Sequence, residues 1–332
     1  MTLTRRTLLA GGGAALALAA CGDSDEPGGG RAAAGRGSFP AKVPHKFGTT
    51  VVRVEPRRVA TYGGGDVDTL LALGVAPVLV PDIDPRWKRL GGVAPWSRER
   101  LGGTEPVVVS NEQVDFERVA EVRPDLVTAV EFDMKRGDYD KLTELAPTVA
   151  PPSGYAPYTV PWDVMAVQVG AALGRRAQAR RLVRAARSRI AAAARANPAF
   201  GRSRAVLIDP DDDGGVYIFA PNDVRTRFLS DLGFTMPAAI EELFEGQFYA
   251  TLSAERLDML DEADVLVLVA TREPQTANTT GTATYRRVRA VREERVVRID
   301  DPDLAIAMSY SSVLSIPYQL REIVPALRAA LA

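Results

Sequence analysis

Apolar residues recur along the chain with two different periods. From Pro161 to Pro198 they fall at Val164, Val167, Ala171, Leu182, Ala186, Ile190 and Ala193, with Ala filling much of the remainder. Intervals of three, four and their multiples mark one helical face, and Ala is the best helix former. Gly170 and Gly174 interrupt this run, so it predicts two helices, Trp162 to about Leu173 and Arg176 to about Ala196. On either side lie short runs rich in β-branched residues. Val51–Val54, Arg58–Tyr62, Val78–Val80, Val107–Val109 and Pro124–Val127 precede it, and Ala205–Ile208, Val216–Phe219, Asp264–Val269 and Val296–Ile299 follow. Helical periods occupy Asp66–Leu73, Asp115–Val122, Arg227–Leu232 and Tyr318–Leu331, and Leu142–Leu145 closes the first lobe. Strands alternating with helices predict parallel crossover units. The expected architecture is α/β: two Rossmann-like lobes, 41–161 and 175–332, joined by a lobe-crossing helix over 162–174. A functional site is expected in the cleft between them.

One apolar run stands apart. Leu8–Ala20 follows Thr4-Arg5-Arg6-Thr7, a twin-arginine pattern, and is too short to span a bilayer as a stable helix. Leu18-Ala19-Ala20-Cys21 places small residues before a cysteine, as in a bacterial lipobox. Residues 1–21 therefore read as a twin-arginine lipoprotein signal peptide, with Cys21 the lipidated N-terminus, and residues 22–40 as a flexible tether. The expected location is extracytoplasmic, on the cell membrane.

Composition narrows the chemistry. The 332 residues are 46% apolar and 25% charged with a formal charge of −1, so no general attraction to nucleic acid is expected. The spine arginines, Arg175 to Arg195, spread around their helix and read as a solvated surface. Cys21 is the one cysteine and His45 the one histidine, which removes an internal disulfide, most histidine-based catalysis and nearly all zinc sites. Gly63-Gly64-Gly65 lacks the dinucleotide fingerprint, whose third glycine would stand at Asp68, and reads as a tight strand-to-helix turn. Asp211-Asp212-Asp213-Gly214 lacks the terminal glutamate of a calcium loop, since Ala220 stands there, and reads as a hairpin turn. There is no Gly-x-Ser-x-Gly elbow, so a secreted α/β hydrolase is only a remote alternative and no enzyme activity is expected.

Four segments of the first lobe occur in a characteristic order. They are Pro56-Arg57-Arg58-Val59, Leu70-Leu71-Ala72-Leu73-Gly74-Val75-Ala76-Pro77, Glu117 to Val127 (ERVAEVRPDLV) and Leu142 to Val149 (LTELAPTV). The second lobe adds Phe228 to Phe234 (FLSDLGF), Leu252-Ser253-Ala254-Glu255-Arg256-Leu257 with Asp261 to Leu266, and Tyr285 to Ile299, where Glu294 stands in place of a glycine. Together these resemble periplasmic iron-siderophore binding proteins, the ferric-hydroxamate/cobalamin class of ABC-transporter solute receptors, over most of residues 45–332. The resemblance implies a class III periplasmic-binding-protein-like fold with a helical backbone. It also implies capture of a ferric siderophore, hydroxamate-type, for delivery to an ABC permease dimer by a monomeric, lipid-anchored receptor. Cobalamin or haem is the alternative ligand; His45, before the first recognised strand, speaks against haem.

A siderophore saturates its own iron, so iron enters only as the bound chelate and no protein cofactor or metal ligand is expected. Recognition needs aromatic faces and Arg or Tyr donors. The candidates are Tyr62, Trp87, Trp96 and Phe132 from the first lobe and Arg225, Phe248, Tyr249 and Tyr310 from the second. In the resembling receptors a first-lobe arginine precedes the helix of Glu117. Here that stretch reads Val109-Ser110-Asn111-Glu112, with Arg225 or Arg136 as substitutes. The resemblance also assigns one permease-docking glutamate per lobe, Glu117 and Glu255.

Overall fold

The computed structural model describes residues 37–332. The expected signal peptide, Cys21 and the tether through residue 36 lie outside the described residues. The chain opens with an antiparallel hairpin, β1 (Ala41–His45) and β2 (Gly48–Val52). Sequence periodicity does not reveal β1, because Pro44 interrupts it. A ribbon two strands wide accommodates that proline, since one side of each strand needs no ladder donor.

The first lobe then runs β3 (Val59–Thr61), α1 (Gly64–Ala72), β4 (Leu79–Pro81), β5 (Val107–Val109), α2 (Phe116–Val122), β6 (Leu126–Thr128), α3 (Arg136–Leu145) and β7 (Thr148–Val149). Its strands lie in the order β5-β4-β3-β6-β7, all parallel. The spine is α4 (Trp162–Ala172) followed by α5 (Arg176–Ala196). In the second lobe β8 (Ala205–Pro210), β9 (Val216–Phe219), α6 (Val224–Asp231), α7 (Ala238–Glu241), β10 (Tyr249–Leu252) and β11 (Val265–Val269) come first. There follow α8 (Glu273–Gly281), α9 (Ala283–Arg287), α10 (Arg289–Arg292), β12 (Val296–Ile299), α11 (Pro302–Ser309) and α12 (Ser315–Ala330). Strand order is β10-β9-β8-β11-β12, matching the first lobe position for position, with β9 alone reversed. The acidic turn makes that reversal: the Asp211 carboxylate accepts from the backbone N–H of Asp213 and Gly215 at 3.0 and 2.7 Å.

At the α4–α5 junction Gly174 takes φ +67° and the Arg175 amide closes on the Gly170 carbonyl at 2.7 Å, a glycine-terminated helix end. Gly170, by contrast, does not interrupt α4. It sits inside the helix, and a Cβ there would collide with the Ala179 Cβ of α5. The glycine is needed for close helix approach, which periodicity alone cannot distinguish from a break. On α5, Ala179, Val183, Ala186 and Ile190 are buried while Arg176, Arg180, Arg181, Arg184, Arg187, Arg189 and Arg195 are exposed.

The largest apolar core is shared by both lobes. Leu70 and Leu126 of the first lobe belong to it, as do Met165 and Val169 of α4, Leu207 and Val267 of the second sheet, and Ile316 and Leu327 of α12. The lobes are thus joined by continuous packing as well as by one chain crossing.

Candidate functional site

A cavity of about 340 Å³ opens between the lobes, lined by Glu131, Tyr158, Asp223, Val224, Arg225, Phe248, Ser309 and Tyr310. That volume falls in the range of small-molecule sites. Of the eight candidate ligand residues, Arg225, Phe248 and Tyr310 meet here; Tyr249 sits beside Phe248, edge to face at 4.9 Å, exposed on strand β10.

The first-lobe wall is built where β6 ends and α1 begins. Gly63 caps α1 without a side chain, leaving first-turn amides to be satisfied. Glu131 Oε2 accepts from the Gly65 N–H at 2.5 Å, and Asp66 in turn accepts from the Val130 and Glu131 N–H groups at 2.9 and 3.3 Å. The glycines permit this closeness: a Cβ on Gly65 would lie 2.7 Å from Glu131 Oε2, and one on Gly64 would lie 2.6 Å from the Tyr310 ring. Burial pushes Glu131 up to about 8, with Asp66 and Asp68 adding to the shift; burial also carries Asp66 up to about 6.

The second-lobe wall is organised by Asp223, the N-cap of α6. Its carboxylate accepts from the Arg225 backbone N–H at 2.9 Å and grips the guanidinium at Nε and Nη2, each at 2.9 Å. The guanidinium face lies 3.4 Å from the Phe219 ring centroid. Arg225 is thereby fixed and its charge is paired. Tyr310, at the end of α11, is pushed up to about 12 by burial, so its hydroxyl remains a donor at physiological pH.

The remaining candidates lie elsewhere. Tyr62 and Phe132 are corrected to core residues: both are buried, their rings pack at 5.5 Å, and the Tyr62 hydroxyl accepts from the Asp115 N–H at 2.9 Å. Strand-end aromatics can turn into a lobe as readily as into a cleft, and sequence does not separate the two. Trp87 and Trp96 line a separate crevice of about 20 Å³, together with Gly64, Ile306 and Tyr310, rather than the larger cavity. They tie the lobes together. Trp87 Nε1 and Arg86 Nη2 donate to Asp303 Oδ1, each at 2.9 Å. Trp96 stacks on Tyr318 at 5.2 Å and donates to Asp68 Oδ2 at 2.8 Å, where the Ser312 hydroxyl also donates. Pro81–Gly103, loop-like in sequence, contains two short 3-10 turns, Pro85–Leu90, which carries Trp87, and Arg98–Leu101, which begins two residues after Trp96.

Glu131, Tyr158, Asp223 and Ser309 escaped the sequence reading. Tyr158 carried a usable signal, an aromatic in a Gly/Pro-rich loop directly before the spine; its φ of +62° marks an unusual backbone position. His45 is buried in the hairpin, bonded to Thr50 at 2.9 Å and packed on Tyr139, and does not line the cavity. Arg136 pairs with Asp140 on α3 and does not line it either. Glu117 and Glu255 are exposed, each the second residue of the helical segment following an edge strand, β5 and β10. Glu294 holds φ +58°, the conformation that suits the glycine it replaces.

Comparison with known proteins accords with this geometry. Residues 59–302, from β3 to the start of α11, match the family described as periplasmic binding protein. Over 108 residues, 32% of each chain, the sequence is 36% identical to YhfQ of Bacillus subtilis (strain 168), whose name places it among ABC transporter substrate-binding lipoproteins. A periplasmic solute binding protein of Mycobacterium smegmatis str. MC2 155 is 29% identical with a TM-score of 0.77, covering 88% of this chain and 99% of that one. PiaA of Streptococcus pneumoniae TIGR4, an iron uptake ABC transporter substrate-binding protein, has been solved with ferrichrome. It is 24% identical with a TM-score of 0.73 over 88% of this chain and 98% of its own, a likeness of fold. The family match spans both lobes and the spine, so this chain belongs to the periplasmic binding protein family, with its class III arrangement of two α/β lobes on a helical backbone.

Proposed function

We propose that this protein is an extracytoplasmic receptor that captures a ferric siderophore of the hydroxamate type in the interlobe cavity and delivers it to an ABC importer. The observation that carries this reading is the chemistry of the cavity wall. A chelate that fills its iron's coordination sphere presents an organic surface studded with partly charged oxygens. Tyr158, Tyr310 and Arg225 offer donors to those oxygens, and Phe248 offers an apolar face. Charge favours a hydroxamate. Among the described residues lining the cavity Arg225 is the one cation, and Asp223 already pairs it. A neutral ferric hydroxamate meets little electrostatic penalty there, whereas a multiply anionic ferric catecholate would find no unpaired cation, the Arg225 charge being already taken by Asp223. The likeness of fold to PiaA, a protein named for iron uptake and solved with ferrichrome, supports the ligand class.

Delivery is assigned to the exposed Glu117 and Glu255, one per lobe at equivalent topological positions, pairing with cations on the permease. Such surface pairs are individually weak, so two of them orient docking more than they drive it. Cys21 supplies the lipid anchor, and the receptor acts as a monomer.

Titration of the protein with ferrichrome, a ferric catecholate, cobalamin and haem tests the assignment. Sub-micromolar binding of ferrichrome with much weaker binding of the catecholate is expected. Binding of cobalamin or haem alone would overturn it. Reversing the charge at Glu117 and Glu255 together should leave chelate affinity intact and abolish uptake; lost affinity would remove their docking role.

A further inference from the structure

The buried acid on the first-lobe wall has no part in the recognition scheme so far. Glu131 is 5% exposed yet lines the cavity. Its Oε2 is engaged by the Gly65 N–H, while its Oε1 has no hydrogen-bond partner among the described residues. It has no cation beside it. From α1 it faces the carboxyl groups of Asp66 and Asp68, and from the loop before the spine and the end of α11 the hydroxyls of Tyr158 and Tyr310. Across the cavity stands the already paired Arg225–Asp223 couple, and the adjoining Asp133 and Lys135 pair with each other at 2.5 Å.

With Oε2 held by the Gly65 amide, Oε1 is the Glu131 atom left to meet a ligand in the cavity. We propose that Glu131 is a specificity-determining ligand residue that presents a carboxylic acid, through Oε1, to an oxygen of the bound ferric chelate. This rests on the siderophore reading above and deepens it. Ferric chelate oxygens accept hydrogen bonds, so the acid donates where a carboxylate would repel. Below about pH 8 that proton is already on Glu131 and above it must be taken up with the ligand, and selectivity turns against ligands that offer only donors at that edge.

The pH profile follows from linkage. Burial and the neighbouring carboxyl groups hold the Glu131 proton up to about 8. If only the acid form binds, the dissociation constant is flat below that pH and rises roughly tenfold per pH unit above it. Tyr310, pushed up to about 12, does not titrate in this window, and Asp66, near 6, has already ionised before it.

Equilibrium dialysis of the full-length protein against radioiron-loaded ferrichrome, from pH 6.5 to pH 9.5, tests the proposal. Wild type is expected to lose affinity by roughly tenfold per unit at the alkaline end, with one proton taken up per complex. Glu131→Gln keeps the shape and the donor but cannot ionise, so its affinity should stay flat. A flat wild-type profile, or an equal alkaline loss in Glu131→Gln, would overturn the role of Glu131 while leaving the siderophore reading in place. Absence of ferrichrome binding by wild type at pH 6.5 would instead overturn both.

Discussion

Replacing Gly64 with alanine tests how closely the two lobes must meet. The new Cβ would lie 2.6 and 2.8 Å from Cδ1 and Cε1 of Tyr310 and 3.1 Å from the Ile83 side chain. Optimal carbon contacts sit at about 3.5–4.0 Å, so either the ring or α1 must yield by about 1 Å. Overpacking of that kind costs roughly 1–3 kcal/mol. Against it stands the helix preference of Ala over Gly, at most about 1 kcal/mol and smaller at the first helical position that Gly64 occupies. The clash wins, leaving a net loss of about 1–2 kcal/mol. It can be expressed in two ways. If α1 moves, the lobe junction weakens and the melting temperature falls by about 2–4 °C per kcal/mol. If Tyr310 swings away, the cavity loses a wall and chelate affinity drops about tenfold for each 1.4 kcal/mol. Thermal denaturation and chelate titration on the same Gly64→Ala sample separate the routes. Wild-type affinity together with a wild-type or higher melting temperature would refute the close-approach argument.

Two further perturbations probe the buried acids. Trp96→Phe removes the indole donor to Asp68 while retaining an aromatic ring against Tyr318, and should cost about 1–3 kcal/mol in urea unfolding; an unchanged midpoint would show that Ser312 alone satisfies Asp68. Glu131 holds its proton up to about 8 when folded, against 4.5 ordinarily, so the native state binds a proton that the unfolded chain has released between those values. Its contribution to stability is therefore complete below about pH 4.5 and is lost as pH rises through about 8. The urea midpoint should fall over that interval in wild type and fall less in Glu131→Gln; parallel slopes would contradict the assigned pKa direction.

The sheet strands were the most legible part of the chain, because Val206-Leu207-Ile208 or Val265 to Val269 are buried on both faces and read as apolar runs. β10 escaped because its pattern is three exposed or half-exposed residues before one buried leucine, as an edge strand allows. The site was half legible. Arg225, Phe248 and Tyr310 could be found by residue type, but residue type could not separate them from Tyr62 and Phe132, which differ only in which way their side chains turn. Glu131 carried no signal at all. In sequence it is one acidic residue three positions after the end of β6 at Thr128. Only the fold places it against Gly65 and away from water. Trp87 and Trp96 were legible as special but not as interlobe ties, since Asp303 and Ser312 lie more than two hundred residues away in sequence.

The occupant proposed for the cavity walled by Glu131, Tyr158, Arg225 and Tyr310 is a ferric chelate, and its iron makes it visible. Crystals grown with ferrichrome and measured at the iron absorption edge would locate the metal directly. One anomalous peak per chain is expected inside that cavity, with chelate oxygens, and no protein side chain, in the iron's coordination sphere. A peak elsewhere on the surface, or iron bound directly by protein side chains with the organic chelator absent, would contradict it.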